Sequence, residues 1–265
     1  MGKLFRQIFK EDIKNVLPLM LSPMLIAAVC ALLYKATDFY PITLIIFISM
    51  TVMTFAPLIS IATLAGNDNT RFYGKKAAFY TSLPLKSEKI TGARLINFLV
   101  MGLLIALISL FNLIIFATPA ESGLEPLVDI LKYIVENIDL KLVLISIKTL
   151  ILSVMFYGVF SLAIMTSNTL GSSSPFKKIG KAARGLLFVA IFLLQAYLYT
   201  KTIGILANSS LVSFNEYRKT IETGYINMLD FNWSSYALIV LIFVVFGALY
   251  FAITNYFHKK KISVE

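Results

Sequence analysis

The chain has 265 residues, of which 58% are hydrophobic and only 14% are charged, and its formal net charge is +10. A soluble domain carries about a quarter charged residues, so this composition excludes an ordinary soluble protein and indicates a polytopic membrane protein. The single cysteine, Cys30, excludes a disulfide within the chain, and the single histidine, His258, cannot build a zinc site.

The first 15 residues have an amphipathic pattern. Apolar side chains recur at helical spacing from Leu4 to Ile13, and four Lys and Arg residues cover the other side. This pattern predicts an interfacial helix in the headgroup plane, with its basic side chains on anionic lipid. No small-residue cleavage site follows the first apolar run, so we expect no cleavable signal peptide.

Six apolar runs follow, each long enough to cross about 30 Å of hydrocarbon at about 1.5 Å per residue. They are 16–34, 40–65, 95–118, 142–165, 186–207 and 234–257. Prolines interrupt the first two runs, and transmembrane helices tolerate them where neighbouring groups satisfy the freed carbonyls. The sequence therefore predicts an all-α fold with six transmembrane helices in one domain, residues 1–265.

Basic residues are unequally distributed between the two sides of the predicted spans. With the N-terminus inside, the inner segments hold 17 Lys and Arg residues, and the outer side holds 6 when Lys201, near the outer end of the fifth span, is counted with it; Lys148 lies within the fourth span. This bias predicts that both termini are cytoplasmic. The charges form short clusters beside the spans, which argues against nucleic acid as a partner. His258 belongs to the last cluster and is expected to be a solvated tail residue.

The connections between the spans differ in character. Segment 66–94 is the longest charged inner connection and is predicted to form helix, break and helix, with Pro84 ending the first piece and Ser87 capping the second. Segment 119–141 predicts an outer amphipathic helix whose acidic face meets either solvent or substrate. Segment 167–185 predicts a flexible inner connection, and 208–233 ends in an interfacial aromatic belt.

Catalytic and ion-coupling patterns are missing from the sequence. The strings GNDNTRFYGKK and GSSSPFKKIGKAA lack the spacing of a P-loop. No Asp or Glu falls within a predicted span, which argues against coupling to protons or sodium. Lys148 and Gln195 are the only long polar side chains well inside spans; Lys148 could reach the outer interface, and Gln195 has no evident partner. We therefore expect that the chain is not an enzyme and holds no metal or cofactor. Transport through it is either passive or driven by a partner that docks on 66–94. The alternative that 66–94 only anchors the chain to lipid stays open.

The string FYTSLPLKSEKITGARLI, after the second predicted span, resembles the corresponding region of ABC-2 type permeases, the membrane subunits of bacterial ABC exporters. In that family a Leu-Pro pair precedes small or charged residues and a basic residue that opens the third span. The matching positions here are Leu83-Pro84, Ser87-Glu88-Lys89 and Arg94. The layout of an interfacial helix, six spans and no ATPase motif is similar as well.

The resemblance implies a permease of the bacterial cell membrane that works as a homodimer with two copies of a cytoplasmic ABC ATPase, which binds the ATP and Mg. It implies an ATPase-coupling interface formed by Phe79, Tyr80, Ser82, Leu83, Pro84, Leu85, Lys86, Ser87, Glu88, Lys89 and Ile90. It also implies a translocation path between the two copies, and the residues here that could line it are Thr51, Thr54, Ser60, Gln195 and Tyr197.

The resemblance also bears on the cargo. Members with short outer loops resemble exporters of amphipathic peptides, including cytolytic or antimicrobial toxins such as phenol-soluble modulins. The 21 Phe and 13 Tyr residues suit such a cargo, although aromatic residues are also ordinary lipid-facing groups. Export of lipid, drug or polysaccharide stays open, and so does a non-transporting membrane subunit that recruits or senses a partner.

Overall fold

A computed structural model describes residues 2–37, 39–82, 84–117, 132, 140–172, 181–207 and 233–260. Within these residues the chain forms seven α-helices and no strand, which confirms the all-α prediction. The helices are α1 (Gly2–Thr37), α2 (Pro41–Phe72), α3 (Ala77–Thr81), α4 (Ser87–Ala117), α5 (Leu140–Gly171), α6 (Lys181–Ala207) and α7 (Trp233–Lys260).

Six of these helices, all except α3, are long and apolar enough to cross a membrane, which confirms the six predicted spans. The helices are longer than the apolar runs that predicted them. At about 1.5 Å per residue the 32 residues of α2 extend about 48 Å, against about 30 Å of hydrocarbon. The ends of the helices therefore project beyond the hydrocarbon core.

The N-terminal segment is continuous with the first span. α1 has 36 residues and runs without a break through Pro18 and Pro23. Two apolar residues of the predicted interfacial segment, Leu4 and Ile8, are buried in the chain. Part of its apolar face therefore packs against protein.

The connection after the second span is shorter than the predicted segment 66–94. α2 continues to Phe72 and α4 begins at Ser87, so only 73–86 separates them, and this stretch contains α3. The backbone N–H groups of Lys89 and Ile90 donate to the Lys86 carbonyl, which starts α4. The predicted second helical piece is therefore not a separate short helix but the first turns of the third spanning helix.

Other predicted segments lie partly or wholly outside the described residues. They are most of the outer helix 119–141, the middle of 167–185, and 208–233 up to its last residue, Trp233. The ends of 167–185 are helical, because α5 continues to Gly171 and α6 begins at Lys181.

The chain divides into two compact units. Unit 1 comprises Met1–Thr70 and Gly92–Asn137, and unit 2 comprises Arg71–Thr91 and Ile138–Glu265. Within unit 2, α5 packs against both α6 and α7. Gly247 on α7 is part of this packing: a Cβ at its position would lie 3.7 Å from Val159 and 3.8 Å from Leu162. Every residue of α5 from 161 to 169 is buried.

Candidate functional site

The short helix α3 holds two adjacent aromatic residues in opposite environments. Tyr80 is 1% exposed, and its ring centroid lies 5.3 Å from that of Phe72. Phe79, one residue earlier, is 52% exposed. The backbone N–H of Ser82 donates to the Ala78 carbonyl and closes the end of the helix. Because Tyr80 is packed inward, α3 is held in one orientation and presents Phe79 at the surface.

His258 helps to hold this arrangement, and the prediction that it is a solvated tail residue is wrong. Its ring centroid lies 6.1 Å from that of Phe72 and 6.2 Å from that of Tyr73, with both pairs edge to face. The Tyr73 hydroxyl lies 2.6 Å from the Thr169 hydroxyl on α5. Because α7 stays helical to Lys260, it carries His258 onto Phe72 and Tyr73 instead of releasing it into solvent.

The predicted coupling residues lie together along 79–90 but differ in exposure. Tyr80 and Ile90 are buried, Leu85 and Ser87 are half-buried, and Leu83 lies outside the described residues. The remaining members are exposed and form what we call the coupling surface: Phe79, Ser82, Pro84, Lys86, Glu88 and Lys89. This surface combines an apolar ring with two lysines and one carboxylate.

The three predicted path residues of α2 do not share one face of the helix. Ser60 is buried, whereas Thr51 and Thr54 are exposed. Nine residues separate Thr51 from Ser60, which corresponds to about 180° around a helix of about 3.6 residues per turn. The Thr51 and Thr54 hydroxyls donate to the carbonyls of Phe47 (2.9 Å) and Met50 (3.1 Å). Their polar groups are therefore satisfied within α2 rather than offered to a ligand.

The two predicted path residues of α6 are also separated. Tyr197 is exposed, whereas Gln195 is buried and contributes to the wall of a cavity of about 240 Å³ between α5, α6 and α7. The expectation that Gln195 lacks an evident partner is wrong, because its side-chain nitrogen donates to the Ser167 hydroxyl at 2.7 Å. Ser167 belongs to α5, and only the packing of the two helices brings it near Gln195.

A buried polar cluster in unit 1 went unrecognised in the sequence. The Asp12 carboxylate accepts from Asn67 at 2.8 Å and from Asn97 at 2.7 Å. Arg94 donates two hydrogen bonds to the Asp68 carboxylate, from Nε at 2.7 Å and from Nη2 at 2.6 Å. The cluster joins α1, α2 and α4. Four of its members lie just outside the predicted spans, and Asn97 lies in the first turn of the third predicted span. Arg94 and Asn97, three residues apart on one helix face, are the only local signal for it.

Lys148, within the fourth predicted span, is buried on α5. Its ammonium group lies 4.3 Å from the centroid of the Trp233 ring at the start of α7. The geometry is a cation–π contact, which partly replaces the lost hydration of the ammonium group. The predicted aromatic belt residue and the predicted intramembrane lysine therefore interact.

Within the part of the chain that the structure describes, no three His, Cys, Asp or Glu residues are close enough to hold a metal ion. No protein-family model matches the chain, and no curated protein or solved structure is significantly similar to it.

Proposed function

We propose that this chain is the membrane subunit of an ATP-driven ABC exporter of a bacterial cell membrane. In the proposed assembly two copies of the chain pair with two copies of a separate cytoplasmic ATPase. The observation that favours this proposal most lies on the five-residue helix between two spanning helices, where Phe79 is exposed and the next residue, Tyr80, is buried. The similarity of 79–94 to the coupling region of ABC-2 permeases supports the same interpretation.

An exposed aromatic ring that is held by its neighbour suits a protein partner. Aromatic anchors supply a large share of the binding energy at interfaces, especially where their own position is fixed before binding. Lys86, Glu88 and Lys89, which follow within ten residues and are also exposed, add charges that can fix the orientation of a partner. The coupling surface therefore has an apolar anchor and a polar rim, which is the usual anatomy of a docking site.

The proposed cargo is an amphipathic peptide, such as a cytolytic or antimicrobial toxin. Support for this choice comes from the sequence alone: 13% of the residues are aromatic, and no carboxylate falls within the predicted spans. Such a pathway offers apolar contact along its length and has no fixed negative charge to retain a cationic peptide.

The proposal is tested by purifying the chain from its native membrane in a mild detergent and identifying its partners. We expect an ATPase to accompany the wild type. Phe79→Ala should weaken that association by about 2 kcal/mol, or roughly 30-fold in Kd, because an interface anchor is lost. Phe55→Ala is the matched control, since Phe55 is 53% exposed on the spanning helix α2 and should leave the association unchanged.

Three other outcomes would contradict the proposal. Recovery of the chain without an ATPase would leave the proposed exporter without an energy source. Recovery with a different partner would favour a membrane subunit that recruits or senses proteins. Equal effects of Phe79→Ala and Phe55→Ala would place the docking site elsewhere. With the ATPase bound, release of peptide, lipid, drug or polysaccharide from vesicles that contain the complex identifies the cargo class.

A further inference from the structure

The cavity between α5, α6 and α7 has a wall whose surface is almost wholly apolar. Five aromatic rings surround its volume of about 240 Å³, and no Asp, Glu, Lys or Arg is among the lining residues. The rings are those of Phe156, Phe160, Phe192, Tyr199 and Tyr250. An apolar cavity of about 150 Å³ is large enough to bind benzene. This cavity can therefore accept a ring with one or two substituents.

The amide of Gln195 gives the cavity wall one polar feature of fixed orientation. Its nitrogen lies 2.7 Å from the Ser167 hydroxyl, 3.3 Å from the Ile191 carbonyl and 3.4 Å from the Ala163 carbonyl, all of which can accept a hydrogen bond. Ser167 donates its own proton to the Ala163 carbonyl at 2.9 Å, so its oxygen must accept from Gln195. The nitrogen end of the amide is thereby fixed against α5.

The oxygen end of the same amide is left without a partner. Oε1 of Gln195 is buried and accepts no hydrogen bond from any residue that the structure describes. A buried amide oxygen without a donor is costly in an apolar environment. A ligand that brings one donor into the cavity would remove this cost. Because Oε1 is covered by neighbouring atoms, those atoms must move slightly before the new hydrogen bond can form.

We propose that this cavity is a binding site for a neutral, ring-sized apolar molecule with a single hydrogen-bond donor, such as a phenol. The absence of a charged lining residue disfavours ions, because a buried charge would stay uncompensated. Phe156, Ala196 and Thr200 at the rim are exposed on spanning helices, so the ligand enters from the apolar surface of the helices. The site requires neither an ATPase partner nor transport.

The test compares two probes of similar shape, 4-fluorophenol and 4-fluorotoluene, by fluorine NMR on the purified full-length chain in detergent. We expect saturable binding of both probes, with about tenfold preference for the phenol from its hydrogen bond to Oε1. Gln195→Met keeps the length of the side chain and removes the acceptor, so it should abolish the preference and retain fluorotoluene binding. Gln7→Met, on the exposed surface of α1, is the matched control and should change neither.

A second variant tests the position of the site independently. Ala196→Phe, at the exposed rim, should fill the cavity and abolish saturable binding of both probes. If thermal unfolding shows that Gln195→Met fails to fold, Ala196→Phe alone still tests whether the probes bind in this cavity. Binding that survives Ala196→Phe, a phenol preference that survives Gln195→Met, or signals no greater than those of the detergent alone would each overturn the proposal.

Discussion

The ion pair between Asp68 and Arg94 offers the sharpest test of how the helices of unit 1 are joined. Both side chains are almost fully buried, and two hydrogen bonds of 2.6–2.7 Å connect them. Arg94→Met removes the guanidinium group and leaves the Asp68 carboxylate buried without this bidentate partner. Breaking a buried ion pair from one side destabilises a protein by about 3–5 kcal/mol. For a chain of this size, that corresponds to a decrease in Tm of roughly 6–20 °C.

Thermal unfolding in detergent, followed by helical circular dichroism, measures the effect. Arg6→Met is the matched control, because Arg6 is exposed on α1 and its loss should leave the Tm unchanged. In the double variant Asp68→Asn with Arg94→Met neither position of the pair carries a charge, so most of the stability should return. If Arg94→Met unfolds at the same temperature as Arg6→Met, the bidentate pair does not join α2 to α4 as described.

Two further predictions concern the packing of unit 2 and use the same unfolding assay. Gly247→Ala should be neutral or stabilising by up to about 1 kcal/mol, because a Cβ there meets only ordinary contacts at 3.7–3.8 Å. Gly247→Leu should destabilise by about 1–3 kcal/mol through overpacking, and equal stability of the two variants would show that α5 and α7 do not approach closely here. Thr166→Val removes the 3.0 Å contact with the Thr254 hydroxyl and should cost about 0.6–1.7 kcal/mol. Thr51→Val, which loses only a bond within its own helix, is the control, and an equal loss in both variants would count against a bond between α5 and α7.

The number of spanning helices could be predicted from the sequence because the signal is local. About 20 consecutive apolar residues are needed to cross the hydrocarbon core, and no other element of this chain has that composition. The ends of the helices could not be predicted in the same way. Hydropathy marks where a chain leaves lipid, whereas α2 continues to Phe72 through a polar stretch that includes Asn67 and Asp68. These two side chains are held by Asp12 and Arg94, which lie far away in sequence.

The helix–break–helix pattern after the second span was visible because Pro84 interrupts it locally. Which side of α3 faces the protein was not visible. Phe79 and Tyr80 are both aromatic, and only the contact with Phe72 determines that Tyr80 is the buried one. The same limit applies to Gln195, since its partner Ser167 lies 28 residues earlier on another helix. Pairings between spanning helices depend on their rotation and register, which an almost uniformly apolar sequence specifies only weakly.

The most direct test of the proposed function is photo-crosslinking from the position of Phe79 in intact cells. A photoreactive phenylalanine analogue replaces Phe79 in one variant and Phe55, which is exposed to nearly the same extent, in another. We expect position 79 to yield a covalent adduct with a cytoplasmic ATPase and position 55 to yield none. Adducts of position 79 with lipid alone, or the same protein partners at both positions, would contradict an ATPase docking site on the coupling surface.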